Sequence, residues 1–326
     1  MGRKAFLTGG SGFVGINVAQ ALLAAGWEVT ALHRATSDTT YLRRFQIELA
    51  PGSTTEMASL INAMPEGTEV VFHVAGSTNL WRARNEDQTR DNVDGTRNVV
   101  EACLDRKVRR LIVTSSVASW GPIDGLIDER TPQKGGSSWI NYQKTKYEAE
   151  QVAKKGMSRG LEVVIMNPCS IMGPYDVGTW SRMFTLIKNG KLPGVPPGTR
   201  SFAHVWEVAL AHVSAAEHGR SGEHYLLGGT NASMLEMVQI MCKLMGKKEP
   251  KSALSEKLMP IVGVLGQFFA ELRHRVPDMT PEAAALTSTR YTCLAEKAQK
   301  ELGFKVVGLD NMVKDSYDWL VAEGRL

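Results

Sequence analysis

Residues 8–15 read Thr8-Gly9-Gly10-Ser11-Gly12-Phe13-Val14-Gly15, after a short apolar stretch and before an apolar run that stops at Gly26. The spacing Gly9-x-x-Gly12-x-x-Gly15 gives each glycine a separate duty. Gly9 permits a tight turn out of a strand. Gly12 lets the backbone approach a pyrophosphate, and Gly15 lets the next helix pack close to the strand. Phe13 and Val14 lie in the turn at the head of that helix, whose free N–H groups and dipole suit an anion. A glycine triplet alone is weak. Placed between a strand and a helix, it marks a dinucleotide-binding unit.

Outward from this turn, short apolar runs at 4–8, 28–33, 70–74, 111–115 and 161–167 read as strands. Their near-continuous hydrophobicity fits strands covered on both faces. Helical patterns lie between them, at 15–25, 92–105 and 141–155. The alternation predicts an α/β fold with a doubly wound, parallel Rossmann-type sheet. After Pro168 the pattern turns irregular, with Pro and Gly clustered at 172–175 and 192–198. Residues 1–171 therefore read as a dinucleotide-binding domain and 172–326 mostly as a smaller substrate domain. A segment near 200–230, with a strand at 224–227, returns to the sheet.

Composition narrows the function. The 326 residues carry 38 Lys+Arg against 34 Asp+Glu, a net charge of +4, and no basic block. Nucleic acid is therefore not an expected partner. Cys103, Cys169, Cys242 and Cys293 lie far apart with no C-x-x-C pair, which points to neither a disulfide framework nor a zinc site. No metal is expected, and His204 with His212 is not read as a metal pair. The chain runs at once into a strand with no leader pattern, so a reducing cytoplasm is the expected location. The longest apolar run, 258–270, is shorter than the roughly 20 residues that span a bilayer. It reads as a helix of the substrate-covering domain, with a membrane-surface or apolar-ligand segment as the sharper alternative.

The second strand ends Thr30-Ala31-Leu32-His33-Arg34-Ala35-Thr36-Ser37. An acid here would bind the ribose 2′-hydroxyl of NAD; Arg34 instead offers a planar fork for a 2′-phosphate. NADP(H) is favoured and NAD(H) remains open. Tyr142-x-x-x-Lys146 places two polar side chains on one helix face. Ser116 lies just past the carboxyl end of the fourth strand, where ligands bind in such sheets. Carbonyl reduction needs a proton donor, a group that orients the oxygen and a hydride carrier. A free tyrosine titrates near 10, so Lys146 is expected to lower Tyr142, while Ser116 orients the oxygen.

Together with Phe72-His73-Val74-Ala75-Gly76, Asn92-Val93-Asp94-Gly95-Thr96 and Asn167-Pro168-x-x-x-x-Gly173-Pro174, these motifs resemble the extended short-chain dehydrogenase/reductase family of the NAD-dependent epimerase/dehydratase type. The similarity is nearest to its dihydroflavonol 4-reductase-like group and runs over nearly the full chain. It implies that Ser116, Tyr142 and Lys146 are catalytic, with Asn92 near them and Ser115 in support. It implies that His73, Val74, Ala75 and Gly76 pass the cofactor ribose and pyrophosphate, that Pro168, Ser170 and Ile171 meet the nicotinamide carboxamide, and that Tyr142 and Lys146 also touch the cofactor. Where the family carries an acid near adenine, this chain has Ser53 followed by Thr54. The resemblance further implies a homodimer built from the 92–105 and 141–155 helices, with Val99, Val100, Cys103 and Leu104 as its apolar face.

Trp81, Trp120, Trp139, Met172 and Trp180 are candidate pocket walls, with Met183 and Phe184 beside them. The expected activity is a hydride transfer to or from the carbonyl or alcohol carbon of a small apolar substrate. The alternative is a nucleotide-sugar epimerase or dehydratase with tightly bound NAD, served by Arg82, Arg84, Arg182 or Arg200.

Overall fold

The computed structural model describes residues 2–326. The chain runs β1 (Arg3–Thr8), α1 (Phe13–Ala24), β2 (Trp27–His33), β3 (Glu48–Pro51), α2 (Met57–Ala63), β4 (Val70–His73), α3 (Asn85–Thr89), α4 (Gly95–Asp105), β5 (Arg110–Thr114), β6 (Gly125–Ile127), α5 (Asn141–Lys155), β7 (Glu162–Pro168) and β8 (Ser170–Met172). It continues through α6 (Ser181–Lys188), β9 (Thr199–His204), α7 (Val205–His218), β10 (His224–Leu227), β11 (Thr230–Ser233), α8 (Met234–Leu244), α9 (Met259–Leu272), α10 (Pro281–Ser288), β12 (Tyr291–Cys293), α11 (Glu296–Leu302) and α12 (Leu309–Ala322).

Seven strands form one sheet in the order β10-β7-β5-β4-β1-β2-β3, and every pairing in it is parallel. Each central strand sends alternate side chains to opposite faces. Leu7, Val70, Phe72, Ile112, Val164 and Met166 meet α1 and α7 on one side. Phe6, Val71, Leu111, Val113, Val163 and Ile165 meet α2 and α4 on the other. Burying one such side chain contributes about 2 kcal/mol. This two-sided burial is why the strands read as unbroken apolar runs. The expected return to the sheet is made by β10, which pairs with β7. A separate, methionine-rich core joins α6, α8 and α12 to β9.

Two expectations change. The helix expected at 92–105 is not one helix. The α3 helix passes into a π-helical turn at Arg90–Asp94 before α4 begins at Gly95. A Cβ on Gly95 would stand 3.0 Å from Thr54 Oγ1, so the glycine lets α4 sit close to the loop after β3. The dimer face is also corrected. Val99, Val100 and Cys103 are buried against this chain's own sheet, and Leu104 packs on the same cluster, so they are not free to pair two copies.

Candidate active site

The sheet order reverses direction between β1 and β4, and ligands of open α/β sheets bind at such a switch point, beyond the carboxyl ends of the strands. The glycine turn, the segment after β4, Ser115–Ser116 after β5 and Asn167–Pro168 at the end of β7 all emerge at that end of the sheet.

The turn is built as its spacing demands. Gly9 has φ +72, and a Cβ there would strike Ala75 N at 2.5 Å. A Cβ on Gly15 would lie 2.0 Å from Gly9 O. Gly12 differs: its Cβ would meet Gly9 O at 3.3 Å, a tight contact relieved by a shift of a few tenths of an ångström, so packing restricts this position far less than Gly9 or Gly15. Gly12 caps α1 with no side-chain hydrogen bond, and no acid stands in the first turn. The first N–H groups of α1 are thus free for an anion, and the residues present fit a dinucleotide pyrophosphate.

After β4, the His73 ring is enclosed. Its Nδ1 pairs with Thr8 Oγ1 at 2.8 Å and its Nε2 with Thr96 Oγ1 at 3.0 Å. Burial holds it neutral, down at about 3. The ring clamps β1, β4 and α4 together, so it is the backbone of the 73–76 segment that lies beside the turn. A Cβ on Gly76 would fall 3.2 Å from Lys146 Nζ and 3.3 Å from Asn92 Oδ1, which places both residues at one point.

Asn92 lies on the π turn and is buried. It accepts from Ser77 N at 2.7 Å and donates to Ser77 O and Thr145 Oγ1, both at 3.0 Å. Lys146 donates to Thr114 O at 3.1 Å. Burial lowers it to about 8, and the Glu150 carboxylate works in the opposite direction. Tyr142 and Lys146 share one face of α5, with Ser116 beside the phenol. The expected depression of Tyr142 is not found in the free protein. Burial pushes the phenol up and the Ser116 hydroxyl opposes it. An enclosed space of about 10 Å³ between His73, Asn92, Thr96, Ser115 and Lys146 has room for a single water.

Behind this set lies a buried polar cluster that the sequence reading did not select. Glu150 is wholly buried and accepts from Ser115 Oγ, from Asn167 Nδ2 at 2.7 Å and from Gln133 Nε2 at 2.8 Å. Asn167 also donates to Ser116 O at 3.2 Å. Burial raises the Glu150 carboxyl against these hydrogen bonds. The signal was present as Tyr142-x-x-x-Lys146-x-x-x-Glu150, three residues on one helix face.

Arg34 is exposed at the end of β2 and forms no ion pair among the described residues. It lines an open cleft of about 390 Å³ with Ser77, Asn79, Trp81 and Val276. The nearest acid in sequence, Asp38, is engaged by Thr40 N at 2.9 Å. Ser53 is tied into its own turn through Thr55 and Ser59, and Thr54 O accepts from Asn98. Pro168 and Ser170 are buried where β7 passes into β8, and Ile171 packs against the main core.

The candidate pocket walls divide. Trp81 opens on the cleft. Trp139 is exposed, with the Arg82 guanidinium 6.0 Å from its ring. Trp180 lies against Phe202. Trp120 and Met172 are corrected: both are fully enclosed in hydrophobic clusters, with Trp120 Nε1 spent on Thr131 O at 2.8 Å. The arginines considered for a nucleotide sugar are engaged elsewhere: Arg82 with Glu282, Arg84 with Asp87, Arg182 with Asp278 and Arg200 with Leu286 O.

The sequence profile of the NAD dependent epimerase/dehydratase family matches residues 5–228. The chain belongs to that family. It is 28% identical over 98% of its length to a Synechocystis sp. protein provisionally named dihydroflavonol 4-reductase, covering 95% of that protein. It is 26% identical over 98% of its length to sterol demethylase protein B of Methylococcus capsulatus, covering 99% of it. The crystal structure of gox2253 superposes with a TM-score of 0.84 at 30% identity, covering 99% of each chain. The chain is thus an NAD(P)-dependent enzyme of the extended short-chain dehydrogenase/reductase type.

Proposed function

We propose that this protein is an NADP(H)-dependent reductase or dehydrogenase acting on the carbonyl or alcohol carbon of a small apolar substrate. The observation that carries this reading is the convergence of Ser116, Tyr142, Lys146 and Asn92 beyond β5, beside a glycine turn that leaves its first N–H groups free. A bound reduced nicotinamide supplies the hydride. Tyr142 supplies the proton to the substrate oxygen, and Ser116 holds that oxygen in line. Lys146, with its proton held weakly, balances charge at the phenol and would hold the nicotinamide ribose of a bound cofactor. Asn92 holds Thr145, the neighbour of Lys146, and Glu150 acts through Ser115 and Asn167, which adjoin Ser116.

Two observations support the finer assignments. Arg34 stands exposed at the end of β2 and without an ion pair among the described residues, and its fork suits a 2′-phosphate. One relative is sterol demethylase protein B, and a sterol is a largely apolar ring system; another is provisionally named dihydroflavonol 4-reductase, a name that denotes reduction of a ring ketone. A nucleotide-sugar substrate is disfavoured because the arginines that would grip its pyrophosphate are already paired.

The test is to denature the purified protein, identify any released dinucleotide, and follow cofactor oxidation with apolar ketones and aldehydes. No retained NAD, with NADPH consumed in preference to NADH, is expected. Stoichiometric NAD released on denaturation, with no net consumption, would establish an epimerase or dehydratase instead.

A further inference from the structure

The α9 helix carries its apolar residues on the outside. Ile261, Val264, Leu265, Phe268, Phe269 and Leu272 each expose between 49 and 68% of their surface, and Leu258 and Val276 extend the patch at either end. At 100° per residue these positions cover an arc of roughly 140°. The opposite side is spent on α10. There, Cβ atoms on Gly263 and Gly266 would fall 2.9 Å from Pro281 Cα and 2.7 Å from Met279 O, so the two glycines seat the helix tightly. A contiguous exposed patch of this kind marks an interaction surface. Among the described residues no helix is long and apolar enough to cross a membrane.

Charge selects the occupant. Lys257 precedes the patch, and Arg273 and Arg275 follow it; all three are exposed and form no ion pair among the described residues. Of the acids around it, Glu256 is paired with Arg290 and Asp278 with Arg182, while Glu271 accepts from the neutral Trp81 Nε1 and Gln267 and keeps its charge, which leaves three cations against one acid. The patch therefore presents apolar side chains between unbalanced cations. A second copy is a poor occupant. Parallel pairing would set Arg273 and Arg275 against themselves, and antiparallel pairing would set them against Lys257. The arc is also wider than the two-position seam of paired helices. An anionic lipid surface satisfies both features.

We propose that the outer face of α9 docks on the surface of an anionic bilayer, lying in the interface rather than crossing it. The placement suits the cleft. The α9–α10 hairpin is fastened to the loop after β4 through Thr280 Oγ1 to Leu80 O at 2.6 Å and through Arg82 to Glu282 at 2.9 Å. Trp81 and Val276 line that cleft beside Arg34. Docking by α9 brings the cleft rim to the lipid headgroups.

The test is flotation of the full chain with vesicles of phosphatidylethanolamine and phosphatidylglycerol, and with vesicles of phosphatidylcholine alone. The wild type should float with the anionic vesicles and release at high salt. Leu265→Glu with Phe268→Glu should reduce binding by about tenfold or more. Arg273→Gln with Arg275→Gln should reduce it several-fold, and both variants should keep wild-type affinity for NADPH. That last readout separates this proposal from the catalytic one. Should the acidic variant misfold, Phe268→Trp decides: its emission should shift to the blue on vesicles and be quenched by brominated acyl chains. Absence of flotation would overturn the proposal, as would flotation unchanged in the variants. So would a self-associated wild type, seen by light scattering without lipid, that the acidic variant dissolves.

Discussion

Lys146 sits where its charge is disfavoured, and that gives a prediction about stability as well as activity. Its titration falls from 10.5 to about 8 because of burial. The unfolded chain holds the proton where the folded one releases it. This group therefore opposes folding fully below pH 8, and its penalty fades as pH rises from 8 to 10.5. A shift of this size corresponds to roughly 3 kcal/mol, partly offset by the hydrogen bond to Thr114 O. Lys146→Met should lose activity and cofactor affinity yet melt no lower than wild type at pH 7, and by calorimetry up to about 2 kcal/mol higher. A clear fall in melting temperature would contradict this account of the site. Glu150→Gln removes a charge that supports the Lys146 proton. The descending limb of the kcat–pH profile should move to lower pH with KM nearly unchanged. A KM effect alone would make Glu150 a packing residue. That Tyr142 and Lys146 share a helix face was legible from their i, i+4 spacing, and the place of Ser116 from its position just past the fourth strand. Glu150 shares their helix face, but its burial was not legible, since nothing in a sequence separates a buried acid from a solvated one there.

Among the elements, the glycine turn separates folding from binding. Gly12→Ala meets only Gly9 O at 3.3 Å. The fold should survive with little change in melting temperature, while affinity for NADPH falls about tenfold or more as the Cβ enters the pyrophosphate space. Gly15→Ala meets Gly9 O at 2.0 Å and should lose stability and binding together. Equal behaviour of the two variants, by thermal melts and cofactor titration, would refute the assigned duties. The strands were legible because two-sided burial leaves apolar runs that no surface element shares. The 92–105 segment was not, because its π turn is fixed by Asn92 reaching Ser77 and Thr145, contacts far away in sequence. The dimer face failed for a related reason: periodicity shows that Val99 and Cys103 share a side of α4, but not whether that side meets the sheet or a second copy.

For the whole molecule, acid should act through histidines. His73, His212 and His224 are held neutral by burial, at about 3, about 4 and about 3. Below 6.5 the unfolded chain takes up protons that the folded chain refuses, so stability falls as pH drops from 6.5 toward 4. Denaturant titrations at pH 7 and pH 5 should differ by several kcal/mol in favour of pH 7; equal values would show that these rings are not neutral in the fold. At this scale the parallel sheet was legible, but the pocket walls were not. Trp81, Trp120 and Met172 look alike as letters, and only tertiary packing sorts cleft from core.

The central claim is that Tyr142 delivers a proton to a carbonyl oxygen during hydride transfer from NADPH. Its most direct measurement is the single-turnover rate of NADPH oxidation by an apolar ketone substrate, wild type against Tyr142→Phe. The account predicts a fall of about 10²–10⁴-fold with NADPH affinity unchanged. A Tyr142→Phe enzyme that oxidises NADPH at the wild-type rate would contradict it.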